Sequence, residues 1–224
     1  NILYTHGGAY VNPLSIFHWG IIQALVENVG ARVVVPAYPL APEHIYQAAY
    51  DQLEIVYRNL LDTSADQPIL LCGDSAGGGL ALAQVFRYRQ LGLPLPQRVV
   101  LFSPWLDISM SNPGAAEVEA RDILLGIQVL VMCGQWWAGG NDPTGALLSP
   151  LFGDLSALPP VDIFQGTEDL LTPDVRLLEE KISQVGGNVR LYEYTGAGHV
   201  FVGATFSPEA KHAFSQIAKV IHNS

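Results

Sequence analysis

The sequence predicts an α/β fold, a mostly parallel sheet with helices on both faces, and three observations carry that expectation. Short apolar runs dominated by Val, Ile and Leu alternate with longer segments of helical period, which is how βα units read. The runs are apolar nearly throughout, as strands covered on both faces are. Finally, 224 residues are enough for one sizeable core and too few for two.

Strands are expected at residues 2–5, 32–36, 69–73, 99–103, 161–165 and 189–194. Helices are expected at 16–28, 45–61, 80–91, 173–185 and 208–222. The last of these repeats Ala210, Phe214, Ile217 and Ile221 at steps of three and four. Gly30, Gly92 and the pair Gly186-Gly187 follow three of the helices, where a left-handed residue ends the last turn. Between the fourth and fifth strands the spacing is too long for a turn plus one helix, so a cap insertion is expected at about 111–148 within a single domain of residues 1–224. Asp122 is expected to cap a helix over 123–137, ended by Gly139-Gly140, with Met132, Trp136 and Trp137 giving it the apolar weight to roof a pocket.

Composition excludes several classes. Hydrophobic residues make up 49% and charged residues 14% of the chain, against about 25% charged in an average soluble domain, so an extended disordered chain is ruled out. Mean hydropathy is +0.25, yet the longest nearly uncharged apolar stretch, 123–137, is broken by Gly126, Gln128, Gly134 and Gln135. It is too short to span a bilayer. A net charge of −10 with 11 Lys and Arg leaves no basic patch for nucleic acid or an anionic membrane surface. Cys72 and Cys133 form no metal-ligand spacing and no disulfide framework, and are expected to be buried thiols. The chain opens inside a strand with no initiating Met, basic n-region or apolar h-region, so upstream residues and a cytoplasmic location are expected.

The sharpest local signal is Gly73-Asp74-Ser75-Ala76-Gly77-Gly78, a GxSxG pattern after an apolar run and before a helix. Such a turn lifts Ser75 Oγ into the open at strained backbone angles, with glycines where side chains would collide. A serine hydroxyl needs a base, and imidazole titrates near neutral pH. Of six histidines, His199 in Gly198-His199-Val200-Phe201 follows the last strand, where it reaches the carboxyl edge of the sheet. His18 and His44 read as local hydrogen-bonding residues, and His212 and His222 as solvated positions on the terminal helix. A carboxylate is needed on the second imidazole nitrogen to fix tautomer and orientation. The strand at 161–165 runs into Gly166-Thr167-Glu168-Asp169, which presents Asp169; Glu168, Asp174 and Asp107 remain alternatives. Asp74 is read as structural. The order Ser75, Asp169, His199 is that of α/β-hydrolases. The run His6-Gly7-Gly8-Ala9-Tyr10 leaves the first strand with small residues, so the Gly8 and Ala9 N–H groups, with that of Ala76, are expected to form an oxyanion hole supported by His6 and Gly7. Tyr10, Met132, Trp136 and Val200 are the expected pocket residues.

With these motifs in view the chain resembles the hormonesensitive-lipase-like family of bacterial α/β-hydrolase esterases over nearly its whole length. Further segments in matching order are Tyr38-Pro39-Leu40-Ala41-Pro42-Glu43-His44, Ser103-Pro104-Trp105-Leu106-Asp107, Ser149-Pro150-Leu151 and Leu158-Pro159-Pro160. The resemblance implies short-acyl ester hydrolysis by Ser75, Asp169 and His199 through an acyl-enzyme, with a small-molecule ester as substrate and with no cofactor and no metal. Two departures stand out. Ala9 occupies the place of a third glycine, narrowing the room beside the oxyanion. The N-terminal cap and two strands that the family carries ahead of its histidine motif are not in this sequence, which would leave 32–36 a bare sheet edge, covered by upstream residues or by a second copy in a homodimer. The same triad could serve an amidase or formamidase. A non-catalytic small-molecule binder, or an inactive truncated chain, is the remaining alternative.

Overall fold

In a computed structural model, residues 1–64 and 67–222 are described, apart from the side chain of His222. The expected sheet is there: six strands, all parallel, in the order β2-β1-β3-β4-β5-β6. They are β1 (Ile2–Thr5), β2 (Val33–Val34), β3 (Leu70–Asp74), β4 (Arg98–Phe102), β5 (Val161–Gly166) and β6 (Val189–Tyr194). The helices are α1 (Ile16–Val29), α2 (Tyr46–Thr63), α3 (Ala76–Gln90), α4 (Gly114–Glu119), α5 (Ile127–Ala138), α6 (Thr172–Gln184) and α7 (Pro208–His222).

Strand residues alternate between two cores. Leu3, Leu71, Leu101 and Ile163 pack with α2, α3, α5 and α6. On the opposite face Tyr4, Cys72, Phe102 and Phe164 pack with α1 and α7. At β1, β3, β4 and β5 both sheet faces are therefore dry, which is why these strands read as nearly unbroken apolar runs. Cys72 and Cys133 are buried and free, as expected. Among the described residues no helix is long and apolar enough to cross a membrane.

The chain passes from β1 outward to β2, then returns to place β3 on the other side of β1. At such a switch point the loops leaving neighbouring strands diverge and open a crevice at their carboxyl ends. Here those are the loops after β1 and β3, which carry His6 to Ala9 and Ser75.

Three boundaries differ from expectation for identifiable reasons. β2 pairs only at Val33 and Val34 with Ile2 and Leu3, and Pro36, which has no N–H to donate, follows two residues after Val34. It lies at the sheet edge, as the resemblance implied. Helix α3 begins at Ala76 and not at residue 80, because its glycines are demanded by close packing in spite of their poor helix propensity: a Cβ on Gly77 would stand 2.0 Å from the Thr5 carbonyl oxygen. In the insertion, α4 was not anticipated and α5 starts later than residue 123. Asp122 accepts the Leu124 and Leu125 N–H groups in a turn, and Glu119 Oε1 accepts the Ile127 N–H at the start of α5. Asp122 thus shapes the approach to the helix and does not cap it. The left-handed Gly139 ends it as expected.

Candidate active site

Ser75 occupies the turn from β3 to α3 with φ 51° and ψ −123°, a conformation that costs an L-residue about 1–3 kcal/mol. It is held there from both sides. Its N–H donates to Phe102 O at 2.9 Å, and its carbonyl accepts the N–H groups of Gly79 (3.1 Å) and Trp105 (2.8 Å). The hydroxyl is thereby aimed at the crevice.

His199 Nε2 lies 2.9 Å from Ser75 Oγ, and His199 Nδ1 donates to Asp169 Oδ2 at 3.0 Å. Asp169 is fully buried at the end of β5, and its other oxygen accepts the Leu171 N–H at 2.9 Å. Burial alone would raise its carboxyl pKa. The His199 charge and the hydrogen bonds from His199, the Leu171 N–H and Ser103 outweigh that and hold it below the ordinary carboxylate value. For His199 burial pushes toward the neutral form, but the Asp169 charge and hydrogen bond, with the charges of Asp122 and Asp74, raise its pKa above the usual imidazole value. Such an imidazole can accept a proton from the serine and be stabilised while it carries it.

The alternative acids are placed elsewhere. Glu168 faces outward and pairs with Arg121 at 2.7 Å. Asp107 is bound by the N–H and hydroxyl groups of Ser109 and Ser111. Asp174 is on α6 with Asn112 as its partner. Asp74, buried beside the nucleophile, accepts hydrogen bonds from the Tyr4 hydroxyl and from the Gly7 N–H (2.9 Å), and His18 Nε2 lies 3.4 Å from its second oxygen. Its role is to tie the loop after β1 to the serine turn. His18 also takes the Ser15 N–H at the start of α1, a local partner as expected, while His212 is exposed on α7 and meets the Tyr194 hydroxyl. The side chain of His222 lies outside the described residues.

The loop after β1 brings Gly8 and Ala9 to the cavity edge opposite His199. Gly8 has φ 114°, and a Cβ there would sit 2.6 Å from Asn12 O, so the turn needs glycine. His6 is buried under this loop, stacked on Tyr38 at 4.5 Å, and the Tyr38 hydroxyl donates to the His6 carbonyl at 2.6 Å. At the first position of α3 the Ala76 N–H has no acceptor one turn earlier in the helix, so it is available to a ligand. Gly8 and Ala9 thus line the cavity that Ser75 opens into, Ala76 follows the nucleophile at the start of α3, and His6 and Gly7 brace the loop.

That space is a cavity of about 650 Å³ which Ser75, His199 and Val200 line together with Phe17 and Ile21 of α1. Its roof differs from expectation. Leu124, Leu125 and Gly126 ahead of α5, with Val129 and Leu130 on it, face the cavity, whereas Met132 and Trp136 do not. Met132 and Trp136 stand three and seven residues on from Val129, one and two turns further along the helix, and are 43% and 42% exposed. Trp137 is fully buried, and Tyr10 stacks on it at 4.3 Å between parallel rings. Tyr10, 1% exposed and also stacked on Trp105, is therefore a prop beneath the glycine loop and not a pocket wall. No periodicity in the sequence pointed to Phe17, Ile21 or Leu124; the consecutive apolar residues Ile123, Leu124 and Leu125 in a turn were the available signal.

Comparison with known proteins gives the family and the fold. Residues 2–203 match the family described as alpha/beta hydrolase fold. An acetyl-hydrolase of Streptomyces hygroscopicus is 36% identical over 201 residues, 89% of this chain and 67% of that protein. An esterase of Acinetobacter venetianus is 33% identical over 221 residues, 97% of this chain and 73% of that one. Among solved structures, a homologue of hormone-sensitive lipase from a metagenome library superposes with a TM-score of 0.94 at 34% identity, covering 99% of this chain and 77% of that one. An esterase from the bacterial hormone-sensitive lipase family does so with 0.94 at 32%, covering 99% and 76%.

Proposed function

This chain belongs to the α/β-hydrolase family and is a carboxylic ester hydrolase akin to the hormone-sensitive lipase group, and on that premise we propose that it cleaves short-acyl esters with Ser75, His199 and Asp169 as its triad. The observation that carries the reading is the continuous hydrogen-bonded line from Ser75 Oγ through both imidazole nitrogens of His199 to the buried Asp169 carboxylate.

On this reading Ser75 Oγ attacks the ester carbonyl while His199 Nε2 takes its proton. The oxygen that becomes negative is held by the N–H groups of Gly8, Ala9 and Ala76. Collapse expels the alcohol, which receives the proton from His199, and leaves an acyl ester on Ser75. Water then attacks that ester by the same route, His199 accepting its proton and returning it to Ser75 Oγ as the acid leaves. Throughout, Asp169 stays ionised and keeps Nδ1 protonated. Similarity to the Streptomyces hygroscopicus acetyl-hydrolase supports a short acyl group, as does Ala9 beside the oxyanion position.

The test is labelling with a fluorophosphonate, followed by peptide mapping. A single adduct at Ser75, absent from Ser75→Ala together with p-nitrophenyl acetate turnover above the residual rate, is expected. Labelling at another serine, or full turnover in Ser75→Ala, overturns the assignment.

A further inference from the structure

Asp122 belongs to the insertion, yet its carboxylate spans two parts of the site. Oδ1 accepts the N–H groups of Leu124 (2.8 Å) and Leu125 (2.9 Å), the turn that lines the cavity. Oδ2 accepts the N–H of Leu170 at 2.7 Å, the residue next to Asp169. Leu170 and Leu171 are buried, so their N–H groups must find acceptors within the protein: Leu171 uses Asp169 Oδ1 and Leu170 uses Asp122. The loop that presents Asp169 is thus gripped by one carboxylate inside the loop and a second one from the roof. The neighbouring Arg121–Glu168 pair bridges the same two segments, but both its members are exposed, and such pairs hold little.

Resting on the triad assigned above, we propose that Asp122 is a positioning residue for the hydrolysis, fixing the backbone of the Asp169 loop from the cap and so setting the orientation of His199. Its charge bears on the site as well. His199 feels three carboxylates, Asp169 from the loop after β5, Asp122 from the insertion and Asp74 from the end of β3, and each favours the protonated imidazole. Neutralising Asp122 therefore moves the acidic limb of the pH profile down, in addition to its geometric effect.

Asp122→Asn is the informative change because an amide has a single acceptor oxygen. If that oxygen serves Leu124 and Leu125, an NH2 group faces the Leu170 N–H, and in the flipped orientation the roof turn loses its acceptor. Asp122→Ser keeps a short acceptor for the turn and cannot reach Leu170, which isolates the link to the Asp169 loop and serves as the second variant if the amide does not fold. Rates are normalised to sites titrated with fluorophosphonate, so that they refer to folded protein only. We expect kcat on p-nitrophenyl acetate, butyrate and hexanoate to fall by a similar factor, about tenfold to a hundredfold. For Asp122→Asn the acidic limb of kcat/KM should move to lower pH, since one of the charges that favour the protonated imidazole is gone. Arg121→Gln should stay within about twofold of the parent. Unchanged kcat with a KM that rises with acyl length would make Asp122 a roof residue only and overturn the inference while leaving the triad standing. Turnover surviving in Ser75→Ala would overturn both.

Discussion

Asp169→Asn separates the acid assigned here from its neighbours, and the hydrogen bonds around it determine which way the amide must lie. In the carboxylate, Oδ1 accepts the Leu171 N–H and Oδ2 accepts His199 Nδ1–H. The amide has one oxygen for these two donors and for the Ser103 hydroxyl. Leu171 is 1% exposed, so no water can replace a lost acceptor, and leaving that N–H unpaired costs about 1–3 kcal/mol. His199 can instead shift its proton from Nδ1 to Nε2, which is far cheaper for an imidazole. The oxygen therefore goes to Leu171 and the NH2 to His199, whose Nδ1 becomes the acceptor. Nε2 then carries a proton where it faces Ser75 Oγ, and the base is lost. Such a tautomer lowers turnover by about four orders of magnitude, or about 5 kcal/mol. The assay is p-nitrophenyl acetate hydrolysis from pH 6 to 9, with Glu168→Gln as control; Glu168 is bound outward to Arg121, so its variant should stay within about threefold. If Asp169→Asn lies within tenfold of the parent, or Glu168→Gln is the more damaging change, the argument fails.

Other expectations follow from the same groups. The rate should rise with pH along a single limb lying above 6.5, since His199 acts as a neutral base and its pKa is raised from that value; a limb centred below about 6 would contradict the pairing with Asp169. The stabilisation from charged His199 and Asp169 is bounded on both sides: the His199 part is lost as pH rises through its raised value, and the Asp169 part is lost in acid as pH falls through its lowered one. Asp174 is pushed up to about 6, chiefly by burial, so its ionisation destabilises the fold as pH rises from the ordinary carboxylate range through 6. Asp174→Asn, which keeps an acceptor for Asn112, should raise Tm by about 2–4 °C at pH 8 and leave it unchanged at pH 4; an equal shift at both values would show that charge is not the cause. Across p-nitrophenyl esters from acetate to palmitate, kcat/KM should peak at acyl chains of roughly two to six carbons and drop by ten, because each methylene gains at most about 0.8 kcal/mol while apolar wall remains. Efficiency climbing to palmitate would show that the exposed rim at Phe17, Ile123 and Leu124 extends the acyl site.

What could be read from the sequence was what is local in the chain. Ser75, His199 and the Gly7-Gly8 turn each sit in a short run whose backbone demands are written in its own glycines. Five of the six strands lay within a residue or so of expectation: β1, β3, β4 and β5 because burial on both faces leaves a dense apolar signature, and the half-buried β6 because Val189, Leu191, Tyr192 and Tyr194 favour a strand. Choices that depend on what lies across the molecule were not legible in the same way. The separation of Trp137 from Trp136 is a matter of which face α5 turns toward Tyr10, and a helix that is apolar nearly all round does not announce that face. Asp122 has the look of a helix cap because its bond to Leu170, 48 residues away, leaves no trace in its neighbourhood. The early start of α3 reflects Gly77 packing on the Thr5 carbonyl, a tertiary demand that overrides propensity.

The strain around the site shows how these long-range bonds and the chemistry depend on each other. Ala9, Tyr10, Ser75, Ser103 and Val200 all have φ between 45° and 64°, and all five belong to the loops that meet at the carboxyl edge of the sheet. Left to itself each would relax, since the conformation is unfavourable for a residue with a Cβ. Four of them, Tyr10, Ser75, Ser103 and Val200, are instead pinned by groups from other elements. Ser75 donates its N–H to Phe102 of β4, Ser103 donates to Phe164 of β5, and the Ser103 hydroxyl accepts the Val200 N–H beside His199. Tyr10 in turn is clamped between Trp105 and Trp137, with its carbonyl taking the Ala41 N–H at 2.9 Å. The distance from Ser75 Oγ to His199 is therefore set by the register of β3 on β4 and of β4 on β5, more than by either loop alone. A change that loosens those strand ends by a fraction of an ångström would misalign the serine and the imidazole while most buried area stayed in place. Catalysis should thus fail before folding does, and substitutions at Ser103 are where that separation should be widest.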